Sequence, residues 1–151
     1  MASVICEVKG VFVATSDVTT VPLVVLTDGG ERNLPIFIGL WEAVSINSAK
    51  NKEILARPFT HDLFLDLAAK FSITLHHLQI DSIEDGIYYA QLVLSTKQQK
   101  EEYIDCRPSD GIALALRADV PILVDENVLA LGGQKTVDLP PMVDLSTFLR
   151  R

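Results

Sequence analysis

The sequence predicts an α+β fold, a single compact domain in which a mixed or largely antiparallel sheet packs against two or three helices. Three observations carry that reading. The pairs Asp28-Gly29 and Asp85-Gly86 each sit between runs rich in β-branched residues, which is the pattern of a tight β-hairpin. Two further segments, starting near Thr60 and Ser109, carry apolar residues at helical spacing. With 151 residues the chain is long enough to bury one core and too short to need two.

Taken in order, residues 4–15 read as a strand, followed by a polar turn at Ser16-Asp17 and a second strand at 20–27. Asp28-Gly29-Gly30 turns the chain into a third strand at 32–38, where Pro35 removes a ladder donor and marks a sheet edge or a break. Beyond Gly39, residues 41–55 read as a helix with a thin apolar stripe of Ala43 and Ile46, extended by Lys50 and Ile54. A helix this polar lies on the surface or lines a cleft or subunit contact. Residues 60–71 form a clearer helix, and Leu63, Leu67 and Phe71 with Phe64 and Ala68 predict a wide buried face. Residues 73–82 place apolar side chains on both faces of a strand, and Asp85-Gly86 leads into a partner at 87–96. The charged stretch 97–102 makes a third reversal into 103–106, ahead of the Ser109 helix and a short strand at 121–125. Residues 1–135 form the predicted domain, and Gly132-Gly133 with Pro140-Pro141 open a tail, 136–151, that closes on a short helix at 144–149.

The most informative local feature is a motif that recurs. Arg57-Pro58-Phe59-Thr60-His61-Asp62 runs into the first clear amphipathic helix, and fifty residues later Arg107-Pro108-Ser109-Asp110 runs into the second. Each proline keeps the arginine before it on extended backbone. Thr60 and Ser109 are then natural N-caps, and His61, Asp62 and Asp110 fall in first turns, where the dipole favours carboxylates and neutral imidazole. A helix start with free N–H donors and an arginine beside it can hold a phosphate. Each residue also has a purely structural reading: Thr60 and Ser109 as caps, Asp62 and Asp110 as dipole partners. Arg57 and Arg107 can equally cross-pair with Asp110 and Asp62 and fasten the two helix starts together. His61 has no such obvious structural task, while His76 and His77 on a strand are read as structural. Trp41 and the phenylalanines are read as core or interface rather than base-stacking platforms, since no aromatic and basic stripe is visible.

Composition narrows the classes. Thirteen Lys and Arg against twenty Asp and Glu give a net charge of -7, which repels nucleic acid at long range and confines any such chemistry to a local site, with a metal ion as one source of compensation. The apolar runs at 23–26 and 112–116 fall far short of the roughly 20 residues a membrane helix needs, so no membrane association is expected. The first seven residues lack a basic region followed by an apolar one, so a cytoplasmic location is expected. Cys6 and Cys106 lack metal-ligand spacing and are read as buried free thiols.

Taken together, Leu34-Pro35-Ile36-Phe37-Ile38-Gly39, Glu42-Ala43, the Arg57 to Leu63 motif and the stretch from Ile104 to Ala115 resemble the bifunctional nuclease family over roughly residues 4–131. The chain departs from the family pattern at Asn51-Lys52-Glu53, at Cys106, where a small residue is common, and at Gly111, where alanine is usual. The resemblance implies an α+β fold that self-associates, a C2 dimer being the simplest form, and cleavage of phosphodiester bonds in RNA and DNA. On that implication His61, Asp62 and Asp110 are the catalytic candidates, and Arg57, Thr60, Arg107 and Ser109 bind substrate phosphate. Glu42 and Asp105, with Asp62 and Asp110, are candidates for holding a divalent cation such as Mg²⁺. The alternative is a non-catalytic oligomeric module that binds a small anion or a protein partner at the same site.

Overall fold

The structure, a computed structural model, describes residues 2–150. Its centre is a mixed sheet in the order β3-β2-β1-β7-β4-β5-β6, with a short β8 paired to β1. The first three strands, β1 (Ser3–Thr15), β2 (Thr20–Thr27) and β3 (Asn33–Phe37), form the expected antiparallel meander. Pro35 sits on β3, the edge strand, where its missing N–H faces no neighbour. Next, β4 (Thr74–Glu84) and β5 (Ile87–Ser95) form the second hairpin, extended by β6 (Glu101–Cys106). Its turn residues Asp85 and Gly86 both have positive φ, 51° and 79°, the backbone that a two-residue hairpin twist requires. The two halves are joined by β7 (Ile122–Asp125), antiparallel to the start of β1 and parallel to β4.

Two helices, α1 (Leu40–Lys50) and α3 (Pro108–Ala118), pack against each other and against the sheet, and α2 (Thr60–Lys70) lies alongside α3. Ala43 and Ile46 of α1 and Ile112, Ala113, Leu114 and Ala115 of α3 meet Val11, Val24, Leu26, Leu78, Ile80 and Leu92 from the strands in one buried cluster. Burying each large aliphatic side chain there contributes about 1.5–3 kcal/mol. Gly111 lets α3 approach the sheet this closely: a Cβ added there would lie 2.3 Å from Leu78 Cδ1 and 3.2 Å from Cys106 Sγ.

Three sequence expectations change. The helix expected over 41–55 ends at Lys50; Lys52 takes φ 52°, and Ile54 is fully exposed in the coil that follows. The inward face of α1 is polar as well as apolar, with Ser45, Asn47 and Ser48 buried beside Ala43 and Ile46, which explains its thin apolar stripe. The wide buried face expected of α2 is not buried: Leu63, Leu67 and Phe71 are 61%, 58% and 68% exposed, and no residue of the helix is fully buried. The apolar periodicity is real, but nothing among the described residues covers Leu63, Leu67 and Phe71.

The segment after Gly133 is tied into the fold. Following α4 (Glu126–Gly132), β8 (Met142–Asp144) pairs with β1, and α5 (Leu145–Leu149) is capped by the Asp144 carboxylate and buries Leu145 completely. Among the described residues no helix is long and apolar enough to cross a membrane.

Candidate active site

α1, α2 and α3 converge on His61. Its Nδ1 lies 2.6 Å from Ser45 Oγ of α1, and its Nε2 lies 2.9 Å from Asp110 Oδ1 of α3. Arg107 Nε donates to the other oxygen of Asp110 at 2.8 Å, and Arg107 Nη1 reaches Glu42 Oε1 at 3.3 Å. A chain of polar groups therefore runs from Ser45 through His61, Asp110 and Arg107 to Glu42. The wall of a cavity of about 310 Å³ is made by these five groups with Trp41 and Thr60.

Protonation follows from the partners. Burial alone would raise the Asp110 carboxyl, but hydrogen bonds from Arg107 and His61, and their charges, more than offset this and hold it below the usual carboxylate range. An ionised carboxylate only accepts, so His61 Nε2 carries a proton. In the neutral imidazole Nδ1 then accepts from the Ser45 hydroxyl. The basic nitrogen of His61 is thus aimed at a serine oxygen that is almost buried, in a residue only 5% exposed.

The local fold explains why the two Arg-Pro motifs behave differently. In α3 the N-cap is Arg107 and Pro108 is the first helical residue, a position that suits a missing N–H. Asp110 then stands three residues after its arginine, within reach of its guanidinium. In α2 the N-cap is Phe59, so Pro58 and Arg57 lie outside the helix. Arg57 is exposed and makes no hydrogen bond or ion pair among the described residues. Thr60 and Ser109 are accordingly the first and second helical residues rather than N-caps. The cap of α2 is completed by Asp62, whose carboxylate accepts from the Phe59 N–H at 2.8 Å.

Asp62 also turns away from the His61 cavity. Its other oxygen accepts from Arg117 Nε at 2.9 Å, and Arg117 lies over the Phe59 ring, 5.9 Å from its centre. Burial opposes the ionised form of Asp62, but the Phe59 N–H and Arg117 outweigh it and hold the carboxyl low. Neither expected cross-pair forms, since Asp110 takes its own Arg107 and Asp62 takes Arg117. Of the residues singled out from sequence, the structure gathers His61, Asp110, Arg107, Thr60 and Glu42. It leaves Arg57 in solvent, Asp62 in a separate pair, and Ser109 with Asp105 along an adjoining cavity of about 610 Å³.

Two residues that pair with the singled-out side chains, Ser45 with His61 and Arg117 with Asp62, escaped sequence reasoning. Ser45 is one serine on an otherwise ordinary helix, and its only signal is a polar residue on the inward side of Ala43 and Ile46. Arg117 is visible as a charge that closes the apolar run from Ile112 to Leu116.

The acidic groups do not form an oxygen cage for a divalent cation. Among the described residues no three His, Cys, Asp or Glu side chains gather as a metal-binding group. The carboxylates of Asp110 and Glu42 are engaged by Arg107 and His61, and Asp105 is exposed on β6. No step is therefore assigned to a cation. Cys6 is buried and Cys106 half-buried, both free; burial pushes their thiols up to about 11 and about 12, so neither is a ready nucleophile.

The fold and site define an α+β domain built around a histidine clamped between a serine hydroxyl and a carboxylate, with an arginine at the mouth. Residues 24–136 match the bifunctional nuclease domain, and the chain belongs to that family. It is 37% identical over 128 residues to an uncharacterized protein of Mycobacterium tuberculosis (strain ATCC 25618 / H37Rv), covering 84% of this chain and 76% of that one. It is 28% identical over 115 residues to bifunctional nuclease 2 of Arabidopsis thaliana and 26% identical over 118 residues to bifunctional nuclease 1 of Oryza sativa subsp. indica. Those matches cover 75% and 77% of this chain but only 35% and 36% of the plant proteins, so the chain spans about a third of their length.

Proposed function

We propose that the chain is a nuclease that hydrolyses phosphodiester bonds in RNA and DNA, with His61 as its proton-transfer group. One observation carries the reading: the His61 imidazole is held at 2.6 and 2.9 Å between the Ser45 hydroxyl and the Asp110 carboxylate, at the wall of an open cavity. A water in that cavity gives a proton to Ser45 Oγ as Ser45 passes its own to His61 Nδ1; the hydroxide attacks phosphorus, the P–O bond to the leaving strand end breaks, and the leaving oxygen takes the proton back from the His61 imidazolium through the same Ser45 hydroxyl. Asp110 stabilises the imidazolium formed and keeps Nε2 protonated throughout. Arg107, whose side chain is mostly exposed, presents its outer guanidinium edge to the phosphate oxygens. The names of the plant relatives support the substrate class.

The test is degradation of RNA and single-stranded DNA by purified protein, with Mg²⁺ and with EDTA, followed across its own elution peak. Activity that tracks the peak and falls with His61→Ala supports the reading. Activity that elutes apart from the protein refutes it and leaves the non-catalytic module, which binds at the same site without turnover.

A further inference from the structure

We propose that the His61 cavity and its neighbour form a base-stacking track for single-stranded nucleic acid, with Trp41 on one side of Arg107 and Phe37 with Tyr89 on the other; the identity of the ligand rests on the nuclease reading above. Trp41, the second residue of α1, is read from sequence as core or interface rather than a stacking platform, but it is 77% exposed and lines the same cavity as His61. Phe37 at the end of β3 and Tyr89 on β5 are also exposed and line the 610 Å³ cavity. Glu42 and Arg107 line both cavities and form their shared wall. Single exposed apolar residues are ordinary on a protein surface. Three aromatic rings distributed on both sides of one exposed guanidinium, beside a candidate catalytic histidine, are an arrangement that bases on either side of a bound phosphate would fill.

Charge decides what kind of binding this is. The two cavities carry Glu42, Asp105 and Asp110 against Arg107, on a chain of net charge -7. Phosphate neutralisation cannot supply the affinity here. Stacking can, because every base presents a π-face and each stacked base is worth about 1–3 kcal/mol. Bases inside a duplex are already stacked and paired, so the track selects unpaired strands. The salt dependence follows: with one arginine facing phosphate, the slope of log affinity against log salt for a single strand is about -0.7 rather than the steep value of a basic groove.

Trp41 is the one tryptophan of the chain, so its fluorescence reports this site directly. Short oligothymidylate titrated into the full-length protein, with strand integrity checked on the same samples, is expected to quench Trp41 saturably. An abasic oligomer of equal length, inorganic phosphate and a blunt duplex are expected to leave it unchanged. Because Trp41 is exposed, Trp41→Ala should keep its melting temperature, yet weaken binding of oligothymidylate (followed by anisotropy) by roughly 5- to 150-fold; Trp41→Phe should retain most of the affinity. Phe37→Ala provides the same measurement on the other side of Arg107. Equal binding of the abasic oligomer or the duplex, or unchanged affinity in both alanine variants, overturns the track. Cleavage without quenching removes the track and leaves the nuclease standing, whereas quenching without cleavage removes the nuclease and leaves the track.

Discussion

Replacing His61 by alanine separates chemistry from stability in a way the structure makes quantitative. The substitution deletes two hydrogen bonds, at 2.6 Å to Ser45 and 2.9 Å to Asp110, that join α2 to both α1 and α3. Asp110 keeps its bond from Arg107, so its charge is not orphaned. Ser45, 5% exposed, loses its imidazole partner, and an unsatisfied buried hydroxyl costs about 1–3 kcal/mol. For a chain of this size each kcal/mol moves Tm by roughly 2–4 °C, so His61→Ala should melt roughly 2–12 °C lower. Turnover should fall about 10²- to 10⁴-fold, the usual loss for a proton-transfer group. Adding Ser45→Ala to His61→Ala removes the orphaned hydroxyl and should raise Tm towards wild type, with no recovery of turnover. The assay is Tm and kcat on the same preparations of wild type, both single variants and the double. Full turnover in His61→Ala would remove the histidine from the mechanism. Strictly additive losses of Tm in the double variant would show that the Ser45 hydroxyl and the imidazole are not paired.

Asp110→Asn should lower kcat about 10²- to 10⁴-fold, because an amide can donate to Nε2 and favour the wrong tautomer; recovery in Asp110→Glu would support a charge role, and wild-type kcat in Asp110→Asn would refute it. Asp62 and Asp110 both have folded-state carboxyls below their ordinary value of 3.8, so they contribute stability that is complete above that value and lost as pH falls through their folded values. Tm should therefore drop below about pH 4, and removing either carboxylate should flatten that drop; an unchanged acid limb in both Asp62→Asn and Asp110→Asn would refute the assignment. The exposed stripe of Leu63, Leu67 and Phe71 predicts self-association through α2, with light scattering giving twice the 16.6 kDa chain mass and Leu67→Asp returning it to one chain. A wild-type mass of 16.6 kDa at micromolar concentration counts against that interface.

The parts of the fold that were legible are those whose cause is local. The Asp85-Gly86 hairpin is specified by two residues that tolerate positive φ, and β1 to β3 by β-branched runs with Asp28-Gly29-Gly30 between β2 and β3. The helix periodicity of residues 60–71 was equally legible, but periodicity only says that one face is apolar. Whether Leu63, Leu67 and Phe71 meet the core or another surface depends on where α2 docks, and it docks along α3 with that stripe outward. The three-residue β8 and the seven-residue α4 had no signal of their own length. They are held by what they pair with, β1 in one case and β3, β4 and β7 in the other.

The site was legible as chemistry and misleading as symmetry. Two Arg-Pro stretches read as copies, yet in the first the aspartate follows its arginine by five positions, Arg57 to Asp62, and in the second by only three, Arg107 to Asp110. In a helix start that difference decides the outcome. With Pro108 at the first helical position, Arg107 is the N-cap and folds back onto Asp110 one turn away. With Phe59 following Pro58, the cap lies two residues past Arg57, and the arginine is left exposed outside the helix, unpaired with the carboxylate of its own motif. Asp62 then needs a cation from elsewhere, and Arg117, at the far end of the other helix, supplies it. His61 stands in the first turn of α2, where it reaches Ser45 and Asp110 together. The longer spacing therefore turns an apparent repeat into two unlike ends, one a part-buried helix clamp and the other the mouth of the candidate active site.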